Sequence, residues 1–346
     1  MQFTKQQRHT LRTPKVVALT NKQGMKIILS SLGASWVSCI LPLASGKRDI
    51  ILGSPNMAAQ MEQRVYFGAT VGRVANRIAN STFDLEGRKY QLAHNQGAHC
   101  LHGGRDNFSY RVWSIAQPDQ QQAIFTLVSS DGDQGFPGEL KVEVHYELTD
   151  DNQVVINYRY QCNQDCPVNL TNYTYFNLAG EQSDRTAFEH DLQMQAAYFL
   201  PQDSEGLPTG EWREVTDTYF DFRQKKRIGC DFLQDEEQQA VGGYDHTFVF
   251  DELVVDNRQI VATLGSPNGD VQMNMMSTSP AIHLYTGNHL VSVLGKSKTY
   301  TPFSGIVLAP QSPFDGLGHA ESDGTNPIIA KANHIYTSQT RYQFIF

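Results

Sequence analysis

The chain has 346 residues and a formal net charge of -8, with 28 Lys and Arg against 36 Asp and Glu. That length suffices for a large buried core, and the acidic balance, with basic residues scattered except at Lys225-Lys226-Arg227, excludes a nucleic-acid surface. Met1 to Arg12 is polar, and no run approaches the ~18 apolar residues of a membrane helix, so neither a signal peptide nor a membrane span is expected. The five cysteines, Cys39, Cys100, Cys162, Cys166 and Cys230, are odd in number, and no second pair joins Cys162 and Cys166 to complete a zinc site. Buried free thiols in a reducing cytosol are expected, and hence a cytoplasmic protein.

Short alternating runs bounded by Gly, Asn, Asp and Pro dominate the chain, and helical periodicity is nearly absent. Strands are expected at Met25 to Ser30, Ser35 to Leu41 and Asp49 to Leu52, with a helix at Met57 to Val65. A hairpin follows: Thr82 to Leu85, a turn at Glu86-Gly87, and Lys89 to Leu92. It would carry His102 back beside Asn76 and Arg77, although His102 and Arg77 stand 25 residues apart. A guanidinium fork, a carboxamide and an imidazole facing one pocket suit a ligand rich in hydroxyls. By residue type alone, the leading reading is Arg77 as a surface ion-pair partner and His102 as a satisfied loop histidine.

Further strands are expected at Arg111 to Ile115, Ala123 to Val128, Leu140 to Leu148 and Val154 to Gln161. After them come Thr247 to Phe250, Gln259 to Leu264, Val271 to Asn274, Ala281 to Tyr285 and Tyr342 to Phe346. The longest turn-rich segments, Ser129 to Gly138 and Asp315 to Pro327, read as loops. The Lys225-Lys226-Arg227 run reads as a solvated turn. So many strands without a linker imply one all-β domain over residues 1–346, a sandwich or barrel of antiparallel sheets.

Five stretches carry polar chemistry in a fixed order. They are Gly72-Arg73-Val74-Ala75-Asn76-Arg77-Ile78, Leu101-His102-Gly103-Gly104, Asn169-Leu170-Thr171-Asn172, Tyr244-Asp245-His246 and Tyr285-Thr286-Gly287-Asn288. Gly135-Phe136-Pro137-Gly138, Pro208-Thr209-Gly210-Glu211 and Phe220-Asp221-Phe222 agree with them. Each stretch alone is unspecific. In this order, across nearly the whole chain, they resemble the aldose 1-epimerases, the galactose mutarotases.

The resemblance implies a single large twisted antiparallel β-sandwich with a sugar in an open cleft. It implies interconversion of the anomers of an aldohexose by proton transfer alone, with no metal and no organic cofactor. In the family a Glu in a Leu-Glu-x-Gln stretch is the base, and a His two residues before Tyr-Phe-Asn-Leu is the acid. By that register the acid position is Tyr173, ahead of Tyr175-Phe176-Asn177-Leu178, and the base position is Ala309, between Leu308 and Gln311. Ala309 has no proton to exchange, and a phenol of reference pKa about 10 gives one up reluctantly. The retained shell is Asn76, Arg77, His102, Asp245 and Gln311, with His102 and Tyr173 as the remaining catalytic candidates.

The expectation is a monosaccharide-binding protein, monomeric or homodimeric, with weak or absent epimerase activity. The alternatives are a working epimerase with a substitute base, sought among Glu321, His319 and His99, and a protein for another saccharide. A glycosidase would need two facing carboxylates, and only Asp245 sits on a pocket motif.

Overall fold

The structure, a computed structural model, describes residues 13–250, 258–313 and 327–346. Two antiparallel sheets pack face to face. The larger has nine strands, in the order Ser114–Ala116, Gln122–Ser129, Leu140–Leu148, Gln153–Cys162, Ile335–Ile345, Gln272–Ser277, Ala262–Gly265, Asp191–Met194 and Lys226–Arg227. The smaller has six, in the order Tyr175–Phe176, Ile306–Gln311, Ala281–Tyr285, Asp245–Phe250, Ala196–Leu200 and Arg213–Glu214.

The alternation of Leu140–Leu148 explains its place. Leu140, Val142, Val144, Tyr146 and Leu148 all point into the core, while the residues between them are exposed or half-buried. They share one apolar cluster with Phe248, Ile282, Leu284, Ile306 and Leu308 from the smaller sheet. On those same short strands the alternate positions turn the other way. Asp245, Thr247, His283, Tyr285 and Ala309 therefore stand on the opposite face, and yet all are buried. A polar face buried away from the larger sheet is where a site can form.

The all-β expectation matches this architecture, and several boundaries differ. The strand expected at Asp49 to Leu52 lies at Gly46–Asp49, because Asp49 ends it by accepting from Cys39 N and Lys296 Nζ. The strand expected at Arg111 to Ile115 is reduced to Ser114–Ala116, since Arg111 is anchored instead to Asp133 and Asp106. The strand expected at Gln259 to Leu264 is Ala262–Gly265, and that expected at Tyr342 to Phe346 starts at Ile335. The helix beginning at Met57 stops at Glu62. Lys225-Lys226-Arg227 is not a turn: Lys226–Arg227 pairs at a sheet edge, with Lys226 over the Phe222 ring and paired to Asp231. Strands at Val16–Thr20, Asp191–Met194 and Ala196–Leu200 and a helix at Glu236–Val241 were not anticipated. Most of the Asp315 to Pro327 loop lies outside the described residues.

Candidate active site

The stretch from Gly68 to Gly104 builds one wall. Ala69–Val71 pairs with Thr171–Tyr173, setting Tyr173 opposite Ala69. The hairpin of Thr82–Leu85 and Arg88–Gln91 turns at Glu86 and Gly87, both at positive φ (51° and 74°), as a two-residue type I′ turn requires. Its return lets Arg77–Ile78 pair with Cys100–Leu101. Asn76 N then donates to His102 Nδ1 at 3.1 Å, and His102 N donates to Asn76 O at 3.0 Å. The next residue must be glycine. Gly103 has φ 90°, and a Cβ there would meet Gly72 O at 2.2 Å.

Arg73 and Arg77, four residues apart, have different duties. Arg73 is buried away from the cleft and donates to Ser129 Oγ and to the carbonyls of Ser129, Ser130, Pro137 and Gly138, tying that loop down. Arg77 reaches the cleft, where Nε donates to Gln96 Oε1 at 2.7 Å and Nη2 stands 3.7 Å from Asp245 Oδ2.

The smaller sheet supplies the opposite wall. Glu236–Val241 is capped by Asp235 at its start and by Gly242 at φ 69° at its end, and the Gly242-Gly243 turn leads straight into Asp245. Asp245 Oδ1 accepts from His283 Nε2 at 2.7 Å, and His283 Nδ1 stands 3.1 Å from Thr247 Oγ1. Asn76, Arg77, His102, Tyr173 and Asp245 thus line one cavity of about 140 Å³. Ala309 and Gln311 are not among its lining residues. Gln311 lies beside it, its Nε2 donating to Thr247 Oγ1 at 3.4 Å.

Electrostatics separate these groups. Burial lowers His102 to about 3, helped by the Arg77 charge and opposed by Asp245, so its ring is neutral at pH 7. With Nδ1 accepting from Asn76, the proton sits on Nε2. Burial alone would raise Asp245, but the hydrogen bond from His283, then the His283 and Arg77 charges, hold its carboxyl well below the usual range. Burial, with the nearby Asp245 carboxylate, raises the Tyr173 phenol well above its ordinary value. The cleft therefore offers a fixed carboxylate, a fixed guanidinium and a neutral N–H donor, a set suited to hydroxyl groups in alternating donor and acceptor roles.

His283, Tyr66 and Arg64 also line the cavity and were not anticipated. His283 was legible in principle: it lies two residues before Tyr285, hence on the same face of the strand. Tyr66 packs edge-on against His102 and Tyr173, with centroids at 4.7 and 6.1 Å. Of the candidate substitute bases, His99 does not line the cavity: Nδ1 accepts from Asn80 N at 3.0 Å and Nε2 stands 3.6 Å from Glu205 Oε1. His319 and Glu321 lie outside the described residues.

The family model for aldose 1-epimerase matches residues 15–343. The chain belongs to the aldose 1-epimerase family. It is 38% identical to the aldose 1-epimerase of Escherichia coli strain K12 over 333 residues, 96% of this chain and 95% of that one. Identity to the galactose mutarotase of Bos taurus is 37% over 298 residues, 86% of this chain and 84% of that one. The structure of a GalM/aldose epimerase homologue from C. elegans superposes with a TM-score of 0.86 at 30% identity, covering 96% of this chain and 99% of that one. A galactose 1-epimerase from Lactobacillus acidophilus gives 0.82 at 27% identity, covering 96% and 98%.

Proposed function

We propose that this family member binds a free aldose such as glucose or galactose in the cleft between Arg77 and Asp245, and that its interconversion of anomers is weak at most. Membership of a sugar-converting family supports an aldose ligand. One observation carries the second half: Tyr173 and Ala309, at the acid and base positions the resemblance assigns, are buried together in one apolar cluster with Tyr175, Tyr285 and Val307. A methyl group moves no proton, and a buried phenol raised well above its usual value gives one up poorly. The remaining imidazole of the expected shell, His102, is neutral and serves as a hydrogen-bond donor. Asn76, Arg77, His102 and Asp245 act as the sugar-holding groups, with Gln311 supporting them through Thr247.

The same reading takes residues 1–346 as one domain working in the cytoplasm as a monomer or homodimer. Among the described residues, no helix is long and apolar enough to cross a membrane. Calorimetry against a panel of aldoses, with polarimetry on fresh α-D-glucose and α-D-galactose beside a conventional mutarotase, tests the proposal. Millimolar binding, about -4 kcal/mol, with slow mutarotation is expected. Silence across the panel would overturn the ligand class, and turnover equal to the control would overturn the weak activity.

A further inference from the structure

Among the described residues, the guanidinium and carboxylate groups that line the cleft are Arg64, Arg77 and Asp245. Arg77 Nη2 stands 3.7 Å from Asp245 Oδ2, so those two charges offset one another. Arg64 forms no ion pair with any described residue. One guanidinium charge is therefore left over, and its place is the entrance. Arg64 and His289 are the exposed members of the lining, whereas Asp245, His102 and Tyr173 are buried beneath them.

The local chain holds Arg64 there. The helix Met57–Glu62 ends with Gln63 N donating to Ala59 O at 3.0 Å, and Gln63 Oε1 accepts from Val65 N at 2.7 Å. Tyr66 then takes φ 62°, a conformation bulky residues rarely adopt, and its ring meets His102 edge-on at 4.7 Å. The Arg64 guanidinium lies 4.7 Å over the Tyr110 ring, which itself packs against Tyr66 at 5.5 Å. Its Nη1 donates to Met61 O at 3.3 Å and to Gln63 O at 3.2 Å. Stacking and two carbonyls thus fix one edge of the group. The other edge, Nε and Nη2, has no hydrogen-bond partner among the described residues. Those two N–H groups form the fork that matches the two oxygens of a carboxylate.

We propose that Arg64 is a specificity-determining residue, and that the cleft prefers an aldose bearing a carboxylate, a hexuronate, to the neutral hexose. This rests on the reading of the cleft as an aldose site and names the class of aldose. A single fork with a single positive charge suits a monoanion. A phosphate ester carries nearly two charges at neutral pH and would leave one unanswered. Because the guanidinium is already ordered by Tyr110 and the two carbonyls, little side-chain freedom remains to be lost when the carboxylate docks.

The test is calorimetry of wild type and Arg64→Met against D-galacturonate, D-glucuronate, galacturonate methyl ester, D-galactose, D-glucose and galactose 6-phosphate. Wild type is expected to bind at least one hexuronate about tenfold more tightly than its neutral hexose, the worth of a charge-assisted hydrogen bond at a partly exposed site. The methyl ester, which has the shape without the charge, should bind like galactose, and the preference should shrink at high salt. In Arg64→Met the ratio of hexuronate to hexose affinity should fall to about one, with hexose binding reporting that the cleft is folded. Hexose bound by wild type as tightly as either hexuronate overturns the proposal, as does an ester that binds as well as the acid. A preference that survives Arg64→Met overturns the role of Arg64, and galactose 6-phosphate bound more tightly than either hexuronate overturns the carboxylate. Both outcomes with hexose binding intact leave the aldose-site reading standing. Silence of wild type towards every sugar would instead overturn that reading, and the proposal with it.

Discussion

Three buried imidazoles should make this protein labile to mild acid. Burial lowers His102 and His246 to about 3 and His190 to about 4, against an ordinary value of 6.5. Each ring is held neutral by its neighbours. His190 Nε2 accepts from Leu178 N at 3.0 Å with Nδ1 at 2.9 Å from Thr186 O, and His246 Nδ1 accepts from Asp245 N at 3.1 Å. The sign follows from proton counting. Below pH 6.5 the unfolded chain binds a proton at each site while the folded chain does not, so stability falls as pH falls. The contribution is fully present above the unfolded value and is lost progressively towards the folded one. At pH 5 each site costs about 2 kcal/mol relative to pH 7, and the three together about 6 kcal/mol, a large share of the ~5–15 kcal/mol typical of a domain. With ~2.1 cal/mol/K of unfolding entropy per residue over 346 residues, the melting midpoint should drop by roughly 8 °C. Calorimetric melts at pH 7, 6 and 5 read this directly. His190→Gln, whose amide can serve both partners without titrating, should reduce the slope by about a third. A midpoint that moves by less than about 2 °C from pH 7 to pH 5 would refute the reasoning, because the rings would then be protonated in the fold or open to water.

Asp245→Asn removes the one carboxylate that lines the cleft among the described residues and should weaken aldose affinity by about 10- to 100-fold in calorimetry, the worth of a hydrogen bond to a charged group. Arg73→Lys should cost ~3 kcal/mol or more in urea unfolding, since one ammonium cannot replace a buried guanidinium that donates to five oxygens and to Cys166 Sγ. Tyr173→His with Ala309→Glu should raise mutarotation by ~10²-fold or more over either single change, measured by polarimetry, because the two groups serve opposite ends of one proton transfer.

Some strands were legible to the residue. Leu140–Leu148 and Ala281–Tyr285 have the boundaries expected of them, and the Glu86-Gly87 turn is where a two-residue hairpin loop should be. Strands such as Asp191–Met194 are four residues long with a mild pattern, too little signal for a periodicity test. The short helix Glu236–Val241 has only six residues, and its apolar period is nearly absent. At the site, the hairpin argument placed Asn76 against His102 correctly, because turn chemistry is local. The pairing of Asp245 with His283 was out of reach by local argument: it joins residues 38 positions apart through a strand register that only the folded sheet fixes.

Under the proposed function, the residues at the two positions the resemblance assigns act as a single change. Tyr173 comes from Thr171–Tyr173 and Ala309 from Ile306–Gln311, yet they meet in one buried cluster, 6% and 0% exposed. A tyrosine is larger than the histidine of the family pattern and an alanine is much smaller than its glutamate, so the two differences offset one another in volume. Interiors close-packed to crystal density tolerate such paired changes far better than either alone. Ala309→Glu by itself would force a carboxylate among Tyr173, Tyr175 and Tyr285, combining overpacking with an uncompensated buried charge. Tyr173→His by itself would leave a void over Ala309. The double variant is therefore expected to be more stable than the Ala309→Glu protein, and chemical unfolding of the four proteins measures that coupling independently of any activity. Additive stabilities would mean that the two side chains do not share space.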